Sequence, residues 1–382
     1  MLKGSNRGSV IISMRFLTMG GGYFKALYSE DFEREQIIDM FLRGLESEPG
    51  NRDRAVVMLG QRGSGKTVLL WELADRAAEL GYVVATPTVV SDGMLERIVE
   101  KVQDAGERAV GEGAAHLSGA SVGAFGFSVG LEFTREVNDT KTPAYKLTKL
   151  ARRLTEQGLG VLILIDELQA NSEDVRRLVT VYQELVGERL NIAMAMAGLP
   201  GAVSEVLNDR VLAFLNRARR VPLPPLARGD IDAFFARAFT QLDIEIDGAK
   251  RAAAVVATQG SPYLLQLIGH NIVLRADDEG RVSSKALADA IAASEADFES
   301  DVCRTTLAAL SDRDVDFLVC MAQDERESRI SVIAERMGVS DDYAQKYRRR
   351  LIDAGVIEPV RRGYVRFAVP YLDAHLRTYD ER

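Results

Sequence analysis

The sequence predicts an α/β protein in which a parallel sheet flanked by helices is followed by an all-helical segment and a C-terminal helix-turn-helix with a β-ribbon. Short apolar runs alternate with helical stretches up to about residue 226, and this alternation is typical of a parallel sheet covered on both faces. Beyond that point the apolar runs stop while helical periodicity continues. A last block, from about residue 310, has its own order of helices followed by strands.

The strands of the first region are expected where continuous apolar runs occur, because a strand buried on both faces needs no polar alternation. The four runs are residues 55–59, 82–85, 161–165 and 192–197. An amphipathic helix over residues 31–45 precedes the first run. A second helix, over 66–80, ends before Gly81, which favours the left-handed position that closes a helix.

One segment departs from this alternation and predicts an insertion. Small or polar residues hold the even positions from 126 to 132, and a period of two indicates a strand. The odd positions are all apolar: Phe125, Phe127, Val129, Leu131 and Phe133. We expect an inserted hairpin within residues 105–140, approached through a flexible Gly-rich stretch over 111–123. An extra sheet edge without a separate role is the alternative that stays open.

The length of 382 residues predicts two or three domains. We expect a flexible tail over 1–22, a core over 23–227, a helical unit over 228–308 and the helix-turn-helix domain over 309–382. No apolar run is long enough to span a bilayer, and two cysteines cannot form a disulfide framework. The expected location is therefore cytoplasmic, without a membrane partner. The net charge of −8 argues against a surface that is basic overall and binds nucleic acid with all of it, but it is compatible with a local basic patch.

Residues 60–67, GQRGSGKT, match the P-loop pattern G-x-x-x-x-G-K-[ST]. The motif follows a buried strand and opens a helix, which is the context that its chemistry needs. Glycines let consecutive N–H groups turn towards phosphate oxygens, and the helix N-terminus adds partial positive charge. Lys66 is expected to reach the β- and γ-phosphates of ATP and the Thr67 hydroxyl to ligate Mg²⁺. The predicted nucleotide-binding residues are Gly60, Gly63, Ser64, Gly65, Lys66 and Thr67.

The strand over 161–165 ends in Asp166 and Glu167. With a P-loop upstream, Asp166 is expected to hold the Mg²⁺ shell together with Thr67. Glu167 is expected to act as the general base for the attacking water. Glu167 and Lys66 are therefore the predicted catalytic pair, and hydrolysis is favoured over transfer of phosphate to a metabolite.

These motifs, together with Phe32-Glu33-Arg34-Glu35 ahead of the first strand and Gly260-Ser261-Pro262-Tyr263 in the helical region, resemble the AAA+/STAND class of ATPases. The similarity is to archaeal-type ATPases and the initiator branch related to origin-recognition ATPases, over about residues 23–382. The resemblance implies that Arg34 and Glu35 lie near the adenine side of the pocket and that Pro262 presses on the base. Ser261 as N-cap and Pro262 at the first helical position explain the same residues structurally, and both roles can hold together.

The sequence also departs from this class. The strand over 194–198 lacks the polar tip that AAA+ proteins usually carry, and the helix after Gly260 lacks the arginine found in initiators. Both absences favour the STAND and archaeal-type side and predict slow turnover. An arginine acting on the γ-phosphate is expected just before residues 221–226, which resemble the last core strand and the hinge to a helical lid. The possible residues are Arg210, Arg217, Arg219 and Arg220, of which Arg217 is preferred, unless they simply pair with acids.

The C-terminal block predicts a winged helix-turn-helix. Helices are expected over 311–321, 330–337 and 340–354, with strands over 356–360 and 364–369. The same classes of ATPase carry such a domain in this place. Tyr343, Tyr347 and Leu351 recur at helical spacing and predict the core face of the third helix.

The outward face of that third helix and the ribbon are basic, as expected where a recognition helix enters the major groove and a wing grips phosphates. The predicted nucleic-acid contacts are Gln345, Lys346, Arg349, Arg361, Arg362 and Arg366. Acidic residues elsewhere in the block leave a protein-contact role open.

Three functions follow from these patterns. The first is an ATP-driven switch that binds DNA through the winged helix. The second is a STAND-type signalling ATPase with a protein partner. The third, an enzyme that modifies a small molecule, is disfavoured because no substrate-like cluster appears beyond the nucleotide site. The chain is expected to be a monomer or a nucleotide-dependent oligomer.

Overall fold

The computed structural model describes residues 32–117, 142–169, 172–209 and 212–379. Five parallel strands form one sheet in the order β2-β3-β4-β1-β5. They are β1 (Ala55–Leu59), β2 (Tyr82–Val89), β3 (Gly160–Leu168), β4 (Ile192–Gly198) and β5 (Arg219–Pro222). The predicted parallel sheet is therefore confirmed, with strand ends extended by a few residues.

Helices cover both faces of this sheet. The helices in chain order are α1 (Phe32–Glu46), α2 (Lys66–Glu79), α3 (Met94–Leu117), α4 (Pro143–Glu156), α5 (Glu173–Gly187) and α6 (Pro200–Asn208). Side chains of α1 and α2 form one apolar layer against the sheet, and those of α3, α4, α5 and α6 form the other. Short 3₁₀ turns over Arg52–Arg54 and Ala213–Arg217 lead into β1 and β5. The layered arrangement leaves the carboxyl ends of β1, β3 and β4 open at one edge.

The region of the predicted insertion is only partly described. Helix α3 continues to Leu117, into the stretch expected to be the flexible approach. The alternating segment from Phe125 to Phe133 lies outside the described residues, so the inserted hairpin stays a prediction. The tail over 1–22 lies outside them as well.

A helical region follows the sheet, as predicted. Its helices are α7 (Arg228–Gln241), α8 (Gly248–Ala257), α9 (Pro262–Arg275) and α10 (Ser284–Phe298), with a π-helical turn over Glu299–Cys303 and α11 (Arg304–Ala308). We call α7 to α11 the lid. Ser261 caps α9 by accepting from the Leu264 N–H, and Pro262 is the first helical residue, so the predicted helix start is confirmed.

The last unit, residues 311–379, is called the C-terminal domain. It contains β6 (Ser328–Arg329), β7 (Ile357–Arg361), β8 (Tyr364–Phe367), α12 (Asp312–Ala322), α13 (Ile330–Met337), α14 (Asp341–Asp353) and α15 (Leu372–Tyr379). The strands form an antiparallel sheet in the order β6-β8-β7. Helices and ribbon occur in the predicted order and are consistent with a winged helix; β6 and α15 were not predicted.

The caps of α14 explain why its ends were readable. Ser340 accepts from the Tyr343 N–H at the start, and Gly355 takes a left-handed φ of 68° just beyond the end. The prediction that Tyr343 lies on the core face is wrong, because its side chain is 43% exposed. Ala344 faces the core instead, beside Tyr347 and Leu351, so the buried stripe is rotated by one residue.

The lid and the C-terminal domain share one continuous apolar core. Phe298 at the end of α10, Cys303 in the π-helical turn and Leu376 of α15 are all fully buried in it. Because packed cores resist deformation, the two units form one body placed against the sheet domain. Within the described ranges, no helix has the combination of length and apolar character needed to cross a membrane.

Candidate nucleotide site

The P-loop joins β1 to α2 at the open edge of the sheet. Gly63 and Gly65 have φ of 75° and 83°, a left-handed conformation that other residues adopt at a cost. A Cβ on Gly60 would lie 3.1 Å from the Ser64 Cβ and 3.3 Å from the Leu223 Cβ, so the loop closes tightly around this position. Gly65 immediately precedes α2, and the helix N-terminus therefore lies at the loop, where its free N–H groups favour an anion.

Lys66 lies beneath the loop. Its ammonium group donates to the carbonyls of Gly60, at 2.9 Å, and Gln61, at 2.7 Å. Burial lowers the pKa of Lys66 to about 8, while the nearby Asp166 carboxylate opposes that shift. A polyphosphate would favour the charged form and stabilise the ammonium.

Asp166 and Thr67 meet across the gap between β3 and α2. The Thr67 hydroxyl donates to the Asp166 Oδ2 at 2.6 Å, and the Glu167 N–H donates to the Asp166 Oδ1 at 2.9 Å. The register between β3 and β4 shifts after Ile165, and Glu167 has a left-handed φ of 53°. Strained backbone of this kind is concentrated at functional sites. The bend leaves Asp166 buried and presents the Glu167 side chain to the cavity.

A cavity of about 810 Å³ is lined by both the P-loop and the lid. The P-loop, Asp166 and Glu167 line one wall, and α9 lines the other with Pro262, Tyr263 and Gln266. A Cβ on Gly63 would lie 3.4 Å from the Tyr263 Cβ, so the lid touches the loop itself. The volume lies within the range of ordinary small-molecule sites.

Arg34 and Glu35 lie behind the loop. Arg34 is buried and donates to the Ser64 carbonyl at 2.9 Å, which braces the P-loop backbone. A Glu35 carboxylate oxygen lies 3.9 Å from Arg76. Neither residue lines the cavity, whereas Pro262 does; their role beside an adenine stays a prediction.

The carboxyl end of β4 contributes no polar side chain to the cavity, as its sequence predicts. Every residue of β4 is buried, and Gly198 and Leu199 line the cavity with Ala202 of α6. A Cβ on Gly198 would lie 2.9 Å from the Leu168 Cβ. Close packing of β3 against β4 therefore requires glycine at this tip.

The predicted arginines lie elsewhere. Arg219 pairs across β1 with Val56, near the strand's amino end, so Arg217, which precedes it, lies at the sheet edge opposite the P-loop. Arg217 is exposed; Arg219 donates to Asp53 at 2.8 Å and Arg220 to Asn216 at 3.1 Å. Arg210 lies outside the described residues. Arg217 is therefore not brought to this chain's own pocket, and a role for it at the γ-phosphate stays a prediction.

The site fits a magnesium-bound nucleotide. Thr67 and Asp166 offer the hard oxygen ligands that Mg²⁺ prefers, and they are already in contact. Ser64 Oγ is buried without a hydrogen-bond partner among the described residues. Such an orphaned atom in the loop matches a place where a ligand supplies the partner.

Several lining residues were missed from the sequence. Arg62, Gln169, Tyr263 and Gln266 all line the cavity. Tyr263 and Gln266 are three residues apart on α9 and follow Pro262, so helical spacing from a suspected pocket residue would have found them. The Tyr263 hydroxyl donates to Asp301 in the π-helical turn at 2.6 Å.

The predicted nucleic-acid residues of the C-terminal domain are all exposed. Arg361 pairs with Glu327 at 3.2 Å and stacks on the Tyr364 ring, and Arg366 pairs with Glu358. Arg349 and Arg362 have no ion-pair partner within the described part of the chain. Basic groups from α14 and the ribbon are thus available, but their charge is partly balanced.

Comparisons with known proteins identify one matching domain family and several proteins of similar fold. The domain family described as "Domain of unknown function (DUF8462)" matches residues 300–376. No curated protein matches. A Walker-type ATPase of Pyrococcus abyssi is similar in structure, with a TM-score of 0.59 and 17% identity over 90% of this chain and 95% of that chain. The ORC2 protein of Aeropyrum pernix, solved as ADPNP–ADP complexes, has a TM-score of 0.58 and 16% identity over 91% of this chain and 94% of that chain.

Both neighbours extend over nearly the whole of this chain, so the likeness covers the sheet domain, the lid and the C-terminal domain together. The predicted fold class is therefore confirmed. The chain shares its fold with the Walker-type ATPase of Pyrococcus abyssi and the ORC2 protein of Aeropyrum pernix.

Proposed function

We propose that this chain is an ATP-hydrolysing switch that couples its nucleotide state to DNA binding through a C-terminal winged helix. One observation carries the nucleotide half: the Thr67 hydroxyl bonds the Asp166 carboxylate directly beneath the P-loop, with Glu167 next to it in the cavity. A polyphosphate lying on the loop would meet the α2 N-terminus, the Lys66 ammonium and this acidic pair together.

The residues divide the work of hydrolysis. Lys66 and the loop N–H groups would hold the β- and γ-phosphates, and Mg²⁺ held by Thr67 and Asp166 would supply charge neutralisation. Glu167 would accept a proton from the water that attacks the γ-phosphorus, as the bond to the β-phosphate oxygen breaks to give ADP and phosphate. The pocket holds no arginine from residues 217–220, so we expect slow intrinsic turnover.

The DNA half is supported by the exposed cations on α14 and the ribbon. Surface ion pairs contribute little, so phosphate can replace Glu327 and Glu358 as partners of Arg361 and Arg366. Arg349 and Arg362, which lack such partners among the described residues, are the cleanest probes. The ORC2 protein of Aeropyrum pernix, whose fold this chain resembles, was solved as ADPNP–ADP complexes, and that likeness supports the nucleotide half of the proposal.

A protein partner is the second candidate, and α14 itself favours it. Asp341 and Asp342 occupy its first turn, where a recognition helix would approach DNA phosphates, and both are exposed. Tyr343 adds exposed aromatic surface beside them. Acidic and aromatic groups at a helix start suit a protein contact better than a phosphate backbone.

Anisotropy of labelled duplex DNA across a salt series separates the two. We expect affinity to fall steeply with salt, because phosphate contacts release counterions. Arg349→Ala with Arg362→Ala should reduce the salt slope by about 2. Arg43→Ala with Arg228→Ala removes the same charge from exposed positions outside the C-terminal domain and should leave the slope unchanged. Equal binding by both double variants would contradict a DNA contact through the winged helix.

A further inference from the structure

The end of α14 is packed directly on the nucleotide site. A Cβ built on Gly355 would lie 2.1 Å from the Gln61 side-chain oxygen, and one built on Gly201 would lie 2.1 Å from the Asp353 carbonyl oxygen. Gln61 belongs to the P-loop, and Gly201 belongs to the first turn of α6. The C-terminal domain therefore reaches the sheet domain through two close contacts. The one at Gly201 is against backbone and leaves no room for a side chain, and the one at Gly355 is against the end of the Gln61 side chain.

Both contacted elements also form the nucleotide cavity. Leu199 and Ala202 line that cavity on either side of Gly201 in sequence, so one turn of chain faces the nucleotide site and α14 at once. The carbonyl end of α14 meets the N-terminal turn of α6, and these helix ends carry opposite partial charges. That attraction and the close glycine packing hold the domain in its docked position.

The contact is also easy to disturb. The Gln61 side-chain oxygen is buried without a hydrogen-bond partner among the residues that the structure describes, a penalty that water would remove once the contact opens. The backbone of the same residue is held by Lys66, which donates to the Gln61 carbonyl at 2.7 Å. A triphosphate that engages Lys66 competes with this carbonyl for the ammonium group.

A ligand in the cavity would act on the same contact from the other side. Tyr263 of the lid lies against Gly63 of the P-loop, and the lid shares its core with the C-terminal domain. A nucleotide inserted between P-loop and lid would tilt that combined body. Because α14 belongs to it, the tilt would change the packing of Gly355 on Gln61.

We propose that the end of α14, with Gln61 and Gly201, is a latch on the nucleotide site, and that triphosphate binding at Lys66 releases it. The latch deepens the proposed function, on whose nucleotide half it rests, by identifying the contact through which nucleotide state would reach the C-terminal domain. The latch does not depend on what the C-terminal domain binds.

Hydrogen exchange read by mass spectrometry on the full chain tests this. A non-hydrolysable ATP analogue with Mg²⁺ should slow exchange in the P-loop peptide, 60–70. The same addition should speed exchange at the end of α14, 350–357, and in the first turn of α6, 199–204, by at least about threefold. P-loop protection without faster exchange at α14 would overturn the latch alone. No protection at the P-loop would overturn nucleotide binding and, with it, both proposals.

A pair of matched variants tests the contact itself. Gly201→Ala places a methyl group against the Asp353 carbonyl, so without nucleotide its α14 end should exchange as fast as that of the wild type with the analogue. Gly229→Ala is the control, since Gly229 is also the second residue of its helix and a Cβ there meets nothing within 4 Å. Unchanged hydrogen exchange in peptides from β3 would show that the core of the sheet domain is intact in both variants. If the α14 end of Gly201→Ala exchanges at the same rate as in the nucleotide-free wild type, the latch is contradicted. If that variant unfolds, comparing the wild type with and without the analogue still tests the latch.

Discussion

The nucleotide site and the basic surface of the C-terminal domain differ in what holds their functional groups in place. At the nucleotide site, the backbone positions the functional groups. Left-handed glycines, a helix N-terminus and a bend at Glu167 fix Lys66 and Thr67, which are half-buried, and Asp166, which is buried. On α14 and the ribbon, long exposed side chains carry the charge, and several already have acidic partners. A fixed site can be assigned from its geometry, whereas a surface of mobile charges permits more than one partner.

The largest effect is expected at the general base. Glu167→Gln should lower ATP turnover by about 10²- to 10⁴-fold, the range that a positioned acid or base supplies, while ATP binding persists. Turnover is measured by phosphate release and binding by titration calorimetry. Glu188→Gln, at an exposed carboxylate that pairs with Arg152, is the control and should behave as wild type. Turnover within about twofold of wild type in Glu167→Gln would remove Glu167 from catalysis.

The next effect concerns the hydroxyl that faces Asp166. Thr67→Val keeps the shape but removes the hydrogen bond and the magnesium ligand, so ATP affinity in Mg²⁺ should fall by about tenfold or more. Thr67→Ser keeps the hydroxyl and should remain close to wild type. Titrations with and without Mg²⁺ measure this, and a loss equal in both conditions would argue against a metal role for Thr67.

Arg349 and Arg350, which are neighbours on α14, allow a charge held in an ion pair to be compared with an exposed charge by their effects on the free energy of unfolding. Arg350 donates to the buried Asp314 carboxylate at 2.5 Å, so Arg350→Ala leaves that charge poorly paired. Because Arg350 is half exposed, the cost should be about 2 kcal/mol of unfolding free energy, below the usual figure for a buried pair. Arg349→Ala should cost less than about 0.5 kcal/mol. Urea unfolding of the two variants compares them, and equal stabilities would show that the ion pair contributes nothing.

The smallest effect is a linked proton. With a pKa of about 8, Lys66 is charged below that pH and loses its proton above it. Phosphates favour the charged form, so ATP binding should take up protons increasingly between about pH 7 and about pH 9, and affinity should fall over the same range. Calorimetry in buffers of different ionisation enthalpy counts the protons. Lys66→Arg stays charged and should lose the uptake; uptake that persists in that variant would assign it to another group.

Much of the fold was readable because local signals coincide with it. The buried strands are continuous apolar runs, and Ser261, Ser311 and Ser340 all cap helices through side-chain bonds. The bend at Glu167 had no local signal, since its φ of 53° depends on how β3 packs beside β4. The rotation that exposes Tyr343 depends likewise on what packs against α14.

In the candidate site too, some features have a local sequence signal and others depend on long-range packing. Lys66, Thr67 and Asp166 come together as their motifs predict, because the order of parallel strands brings those ends to one edge. The opposite wall, from Tyr263 and Gln266, is set by how the lid packs, and the contact of Gly355 with Gln61 joins residues nearly three hundred positions apart. Long-range contacts of this kind leave no pattern in one sequence.

Nucleotide-dependent DNA binding tests the central claim most directly. Anisotropy of one duplex is measured with a non-hydrolysable ATP analogue, with ADP and without nucleotide, for wild type and Lys66→Ala. The account predicts salt-sensitive binding whose affinity changes at least about fivefold between nucleotide states in the wild type and not at all in Lys66→Ala. Equal, weak binding in every state, with the analogue still bound to the wild type, would contradict it and leave a protein as the partner of the C-terminal domain.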